Sequence, residues 1–404
     1  MNQNSFSTDQ PLQRRSEALS TYKQDSHFYG TLDLLLTVKS FDLQAIRRRY
    51  LASRGKASGV AGSVERREPS PGGIVRVRLR AGVLERAEVL CRLTEPRGID
   101  ARQVGRTGTD AGLAGSGLAG SGAAQSGLSL AIAAENAVHW RIGQQQGTLR
   151  HPWFSYLHTV QFHPQKPGVL LVSSSGFDYI AEFDVLRAEQ TASWLAWEHG
   201  FNQGLDPATG GPVILTRQPR EAERLQAEGR AVMLVPDPPL EAIPTARRAA
   251  FINSVTYDGE QTGEWLATFF HQGSVLRIAR NGSAQTLLSG LRNPHGGRSF
   301  GDGLLATSTA SGEVVWLRPG LETRYAFQDL PGKDEALGQW EWIQNSLHTS
   351  TAIVSIDSNR TSFILFDPIN KLMDKISYDM EWAVQDAVLA PEDATADAWL
   401  RSLG

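Results

Sequence analysis

Recurring hydrophobic hairpins, glycine-rich turns and a 42-position spacing between the clearest copies, Asn253 and His295, predict an all-β fold. The fold class they indicate is a six-bladed β-propeller closed by pairing of N- and C-terminal strands, with a short helical insertion. Thirty-nine glycines and ten tryptophans in 404 residues suit many short strands joined by tight turns. A single propeller domain over 30–397 accounts for a length that would otherwise suggest two or three average domains.

Residues 1–29 read as a flexible N-terminal tail, polar and Gln/Ser-rich, with no apolar stretch behind Arg14 and Arg15 to make a secretory signal. No run approaches the roughly 18 apolar residues of a membrane span. A soluble, cytoplasmic protein with no membrane partner is expected. Thirty-one to 93 should supply outer strands to the last blade, interrupted by a flexible insertion at 53–73. The arginines Arg76, Arg78 and Arg80 alternate with Val75, Val77 and Leu79, the pattern of a half-buried strand with a solvated face. That alternation explains them without a ligand; the alternative is that they form a patch for an anionic ligand together with the triplet Arg47–Arg49.

The repeat unit is a strand, a small-polar or Gly turn, and a second strand. It appears at Val169–Gly176 with Tyr179–Asp184, Trp265–Gly273 with Ser274–Ile278, Leu304–Gly312 with Glu313–Leu317, and Ala352–Asn359 with Ser362–Asp367. Leu128–Ile142 is a weaker copy. Each is preceded by a shorter strand and most are followed by a fourth, giving blades at 97–150, 151–205, 250–292, 293–332 and 338–382. In the sixth, Val384–Leu389 would be innermost. The low-complexity segment 105–127 reads as a flexible loop. Within the insertion 206–249, Gln218–Gly229 favours a short helix and Pro236, Pro238, Pro239 and Pro244 end it. Residues 398–404 read as a C-terminal tail.

The formal charge of −3 argues against a nucleic-acid partner, although residues 1–110 carry +7 and the remainder −10. One cysteine, Cys91, excludes an internal disulfide and a cysteine-built zinc site. Neither a phosphate-binding Gly-Lys-Ser/Thr loop nor a Gly-x-Ser-x-Gly elbow is present.

The first strand of each blade lines the channel, so its start is where side chains converge. Those positions hold Arg97 and Asp100, His158, Asn253, His295, and Gln385 with Asp386. In the remaining blade Glu341 and His348 lie nearby, while Gln344-Asn345-Ser346-Leu347 matches Ile252-Asn253-Ser254-Val255 and favours Asn345. Imidazole nitrogens with carboxylate and amide oxygens suit a divalent metal ion, held by His158, His295, Asn253 and Asp386. Such an ion lowers the pKa of water or polarises a carbonyl. His158, His295 and Arg97 are the catalytic candidates; Asp100, Asn345, Glu341, His348 and Gln385 are substrate-contacting or supporting candidates. A channel of polar residues bonded to one another and to water is the alternative. The remaining histidines have no repeat-equivalent partners and default to turn and surface roles.

Pro294-His295-Gly296 and Asn253-Ser254-Val255-Thr256-Tyr257-Asp258-Gly259 resemble inner-strand starts of six-bladed propellers of the gluconolactonase/regucalcin and NHL-repeat type. That resemblance, over about residues 90–390, implies an axial divalent metal with Asn253 and Asp386 as ligands and His158 and His295 as ligands or acid/base groups. The axis here is richer in histidine than theirs, which are carboxylate-rich. A weaker resemblance to arylsulfotransferase propellers implies a metal-free group transfer with a His nucleophile and Arg97 stabilising an anion. Three functions follow: a metal-dependent enzyme acting on a small-molecule or peptide substrate, a metal-free transferase, and a non-enzymatic binding propeller.

Overall fold

The structure, a computed structural model, describes residues 12–53, 68–104, 127–206, 209–259 and 263–404. The loops expected at 53–73 and 105–127 fall mostly outside these residues, as does the start of the expected N-terminal tail.

Alternating apolar residues and hairpin turns build the described chain into antiparallel sheets. Six strands lead them: β1 (Gly98–Val104), β2 (Leu157–Phe162), β3 (Ile252–Tyr257), β4 (His295–Phe300), β5 (Ile343–His348) and β6 (Val384–Leu389). From each of β1 to β5 the chain proceeds outward through three further strands in sequence order. β6 instead pairs with Thr31–Val38, which is followed by Pro71–Arg80 and Val83–Thr94. This is propeller architecture. The second and third strands behind β2, Val169–Ser174 and Tyr179–Asp184, are buried at every position because sheets cover both faces, while Glu189–Leu195 emerges into solvent. Pro71–Arg80 shows the expected alternation, with Val75, Val77 and Leu79 buried and Arg78 and Arg80 outside.

The leading strands lie against one another in a cyclic order. β1 touches β2, β2 touches β3, and so on to β5 against β6 and β6 against β1. Apolar side chains fill the wedges between neighbouring sheets: Phe183 and Val255 belong to one such core, Leu36 and Val354 to another. Each fully buried side chain of this kind contributes about 1.5–3 kcal/mol.

Both expected tails are corrected where the structure describes them. Gln13–Ala18 pairs in parallel with Leu321–Ala326, and Lys23–Gln24 with Leu372–Met373. Leu19 between them is fully buried, and the Tyr29 hydroxyl donates to Asp374 at 2.7 Å. Covering two open sheet edges satisfies backbone groups that a free tail would leave to water. At the other end, after α1 (Leu43–Ser53) and α2 (Pro219–Ala227), helix α3 (Ala394–Arg401) is capped by Asp393 and buries Trp399 and Leu400 against Leu35, Ile74 and Leu130. The insertion at 206–249 contains α2 and also contributes to a three-stranded sheet, Gln203–Leu205, Pro212–Thr216 and Val232–Leu234. No described helix is long and apolar enough to cross a membrane.

Candidate functional site

A single local device aims the axial side chains. Two residues before Arg97, His158, Asn253 and His295 stand Glu95, Tyr156, Phe251 and Asn293, with φ of 45°, 55°, 50° and 50°. Of these only Asn adopts the left-handed region readily, so the other three are held there by their surroundings. At Phe251 the holder is the buried carboxylate of Asp178, which accepts the N–H groups of Ala249, Ala250 and Phe251 at 3.0, 3.0 and 2.6 Å. The Trp197 indole adds a fourth bond at 3.2 Å. At Tyr156 the guanidinium groups of Arg97 and Arg248 lie 3.6 and 4.3 Å from the ring centroid. At Glu95 one carboxylate oxygen accepts Ser70 N–H at 3.0 Å and the other pairs with Arg97.

Immediately afterwards the pairing register slips. The irregularities fall between Leu157 and Thr159, Ile252 and Ser254, His295 and Arg298, Ile343 and Ser346, and Val384 and Asp386. Bulges re-aim side chains, and the residues inside four of these intervals, His158, Asn253, Gln344 with Asn345, and Gln385, are the ones that line the axis. The fifth holds Gly296 and Gly297. Gly296, at φ +64°, leaves room for Asn345, whose Oδ1 would lie 1.9 Å from an added Cβ.

The result is one cavity at the mouth of the channel, lined by Arg97, His158, Asn253, His295, Asn345, Gln385 and Asp386, together with Thr159, Ser254, Gly296 and Gln344. Its enclosed part admits about one water molecule or ion. Asp100, Glu341 and His348 are not part of that lining. Asp100 joins β1 to β2 by accepting Phe162 N–H at 2.8 Å, and it pairs with Arg102. Glu341 is paired with Lys333 and with Arg360, whose side chain is fully buried and also holds Asp357. His348 is exposed at the far end of β5, its ring 4.9 Å from that of Phe300.

Backbone groups dictate which polar atoms face the cavity. Ser175 donates its proton to the Ile252 carbonyl, so toward His158 Nδ1, 2.9 Å away, its oxygen accepts. The Tyr156 carbonyl, 3.2 Å from the same nitrogen, also accepts only. His158 therefore carries its proton on Nδ1 and presents Nε2 as a lone pair. At His295, Nδ1 lies 2.7 Å from the Thr309 hydroxyl, which can donate or accept, and the Asn293 carbonyl accepts from the ring. Burial holds both rings neutral: it pushes His158 well below the usual imidazole range, helped by Arg97 and Lys39, and His295 down to about 3. Asn253 donates Nδ2 to the Pro294 carbonyl at 2.7 Å, which leaves its buried Oδ1 with no hydrogen-bond partner among the described residues. The adjacent strands β2 and β3 thus offer acceptors in His158 Nε2 and Asn253 Oδ1, and His295 beside them offers a third when Thr309 accepts from its Nδ1.

The opposite side is built differently. Asp386 Oδ1 accepts Asn345 Nδ2 at 2.7 Å and Ala387 N–H at 2.9 Å. Burial raises its carboxyl to about 6 in spite of the nearby Arg298. Arg97 is 1% exposed and committed to Glu95, to Glu135 at 3.0 Å and to the Leu157 carbonyl at 3.4 Å. Its guanidinium braces the lead-in to β2. Among the described residues no group of three or more His, Cys, Asp or Glu side chains is placed to hold a metal. Ser175, Thr309, Asp178 and Gln344 were not singled out from the sequence. Ser175 could have been: it repeats at the same turn position as Thr309, after strands of matching pattern.

No protein-family model and no curated protein matches the chain. Among solved structures, one from a nidogen/laminin complex aligns over 89% of this chain and 97% of its own, with 10% identity and a TM-score of 0.49. A streptogramin B lyase aligns over 70% and 88%, with 9% identity and a TM-score of 0.37. A calcium-binding regucalcin from Agrobacterium tumefaciens aligns over 62% and 70%, with 11% identity and a TM-score of 0.36. The chain resembles propellers of the regucalcin and NHL type. At such identities the chemistry of the site has to come from this chain's own residues.

Proposed function

We propose that the six sheets are six blades around one axis, closed by the pairing of β6 with the N-terminal strands, and that the mouth is the active site of an enzyme acting on a small polar molecule. The cyclic contacts of β1 to β6 and the convergence of residues from all six lead-ins on one cavity support the architecture. The observation that carries the function is that His158, His295 and Asn253 line one cavity whose enclosed part is the size of an ion, with Asn253 Oδ1 left without a hydrogen-bond partner among the described residues.

That donor set fits a divalent transition metal, since neutral imidazole is its commonest protein ligand and an amide oxygen completes a borderline N/O site. Asp386 belongs to the Asn345 pair and drops out of the ligand set expected from the sequence. When bound, the ion would activate water or polarise a carbonyl. The chain's own contribution is to keep both imidazoles neutral and to fix their rings through the Nδ1 contacts with Ser175 and Thr309. The same lone pairs support a second reading, in which a neutral His158 or His295 acts directly as base or nucleophile. The positive charge of Lys39, felt by both rings, favours an anionic substrate in that case.

Elemental analysis of protein purified without chelators distinguishes them. The first reading expects about one equivalent of a divalent ion after soaking, lost in His158→Gln and His295→Gln. A far substoichiometric content after soaking with zinc, manganese, cobalt and calcium, or a content indifferent to both substitutions, refutes it.

A further inference from the structure

The side of the mouth facing the acceptors has a polarity of its own, set by one indole. A tryptophan N–H can only donate. Trp342 Nε1 lies 2.7 Å from Gln344, so the Gln344 atom there is Oε1 and its NH2 group points onward. That NH2 is 3.1 Å from Gln385, so the Gln385 atom it meets is Oε1 as well. Both amide orientations are forced in sequence, and the last member of the relay, Gln385 Nε2, is left with no protein partner among the described residues on a side chain that lines the cavity. Gln385 is 9% exposed, so this donor is not an ordinary solvated surface group. In a closed ring of six strands β6 stands across the axis from β3, which places the Gln385 donor opposite Asn253 Oδ1 and the two flanking imidazoles.

We propose that Gln385, oriented by Trp342 and Gln344, is a specificity-determining donor that binds an oxygen acceptor of the substrate, so that the molecule taken up carries a carboxylate or carbonyl oxygen toward β6 and a proton-bearing group toward His158 and His295. This rests on the second reading of the mouth, in which the imidazole lone pairs meet the substrate directly and hold no metal. Lys39, whose backbone N–H donates to the Ala383 carbonyl just before β6, adds positive charge that reaches the cavity, since it acts on both His158 and His295. A carboxylate is therefore the preferred acceptor over a neutral carbonyl.

Three probes share one hydroxyl and differ in the acceptor: lactate, lactamide and isopropanol. Their affinities, measured by saturation-transfer NMR on the full chain, should fall in that order, lactate exceeding isopropanol by about tenfold or more, as one hydrogen bond to a charged acceptor gives. Gln385→Met should shrink that ratio to about twofold, and Gln385→Glu should invert it by presenting a carboxylate to a carboxylate. Trp342→Phe, a positioning change that frees Gln344 to flip, should lower the lactate-to-isopropanol ratio with an unchanged unfolding midpoint, which loss of packing alone would not do. No measurable lactate binding, equal binding of lactate and isopropanol, or a preference untouched by Gln385→Met overturns the proposal. If His158→Gln abolishes binding of the probes while Gln385→Met leaves the preference intact, the site stands and only the role of Gln385 falls; if neither substitution matters, the site falls too.

Discussion

Asp178 is the side chain on which the aim of Asn253 depends most directly. Its carboxylate is fully buried and takes four donors: Ala249, Ala250 and Phe251 N–H and the Trp197 indole. Those bonds tie the returning end of the 206–249 insertion to the sheet behind β2 and hold Phe251 at φ 50°. Asp178→Ala removes the acceptor and leaves all four donors without it. At about 1 kcal/mol net for each bond the loss is about 4 kcal/mol. Release of the left-handed Phe251 returns only part of it, because the segment then lacks the conformation that starts β3. Asp178→Asn should recover part of it, since an amide oxygen in the place of Oδ2 keeps the Trp197, Ala249 and Ala250 donors and the NH2 group opposes only Phe251 N–H. Urea unfolding of the three proteins measures the effect, read from midpoints at constant m-value. A loss under about 1 kcal/mol for Asp178→Ala would refute the account of how the lead-in is held, since four bonds to a buried charge cannot vanish at that cost. Destabilisation with metal uptake unchanged would instead show that Asn253 keeps its aim without the clamp.

Three further outcomes are expected. Asp386 titrates near 6 in the folded protein against 3.8 for the free group, so the native state binds its proton more readily and this contribution to stability grows as pH falls through 6 toward 4; Asp386→Asn should therefore be more stable than the parent by up to about 3 kcal/mol at neutral pH, with the gap closing near pH 4, and a pH-independent gap in chemical denaturation contradicts this. Gly296→Ala drives a Cβ to 1.9 Å from Asn345 Oδ1 at a φ of +64°, and should cost about 2–4 kcal/mol and displace the Asn345–Asp386 pair, with an unchanged melting temperature as the refuting result. Trp399→Ala should cost about 3–5 kcal/mol, because the helix that carries it closes the core around Leu35 and Ile74; a change under about 1 kcal/mol would return residues 398–404 to the status of a tail.

The blade pattern was legible because it is local. Alternation marks a strand, small residues mark its turn, and both recur within about 40 residues, so Val169–Asp184 and Ala352–Asp367 announce themselves. Arg97, His158, Asn253 and His295 were legible for a related reason: each stands third in a short motif, Glu-Pro-Arg, Tyr-Leu-His, Phe-Ile-Asn or Asn-Pro-His, at the start of an inner strand. What the lead-in does not reveal is where the side chain's charge goes. Arg97 read as a free cation because its partners, Glu95 two residues back and Glu135 in the next hairpin, meet it only once the sheets assemble. The tails misread for the converse reason. Gln13–Ala18 is polar because it covers an edge through backbone bonds, and parallel edge pairing leaves no apolar period to detect. Polarity inside the mouth is the least local property of all. Whether an amide shows its oxygen or its NH2 to the cavity is decided by backbone groups and by the Trp342 indole, and transmitted through Gln344 to a residue 41 positions away. A list of axial residue types, however well aligned, therefore names the donors and acceptors available without saying which of them face the ligand. That distinction decides here between a site for a bare cation and one that takes an oxygen acceptor on one side and a proton-bearing group on the other.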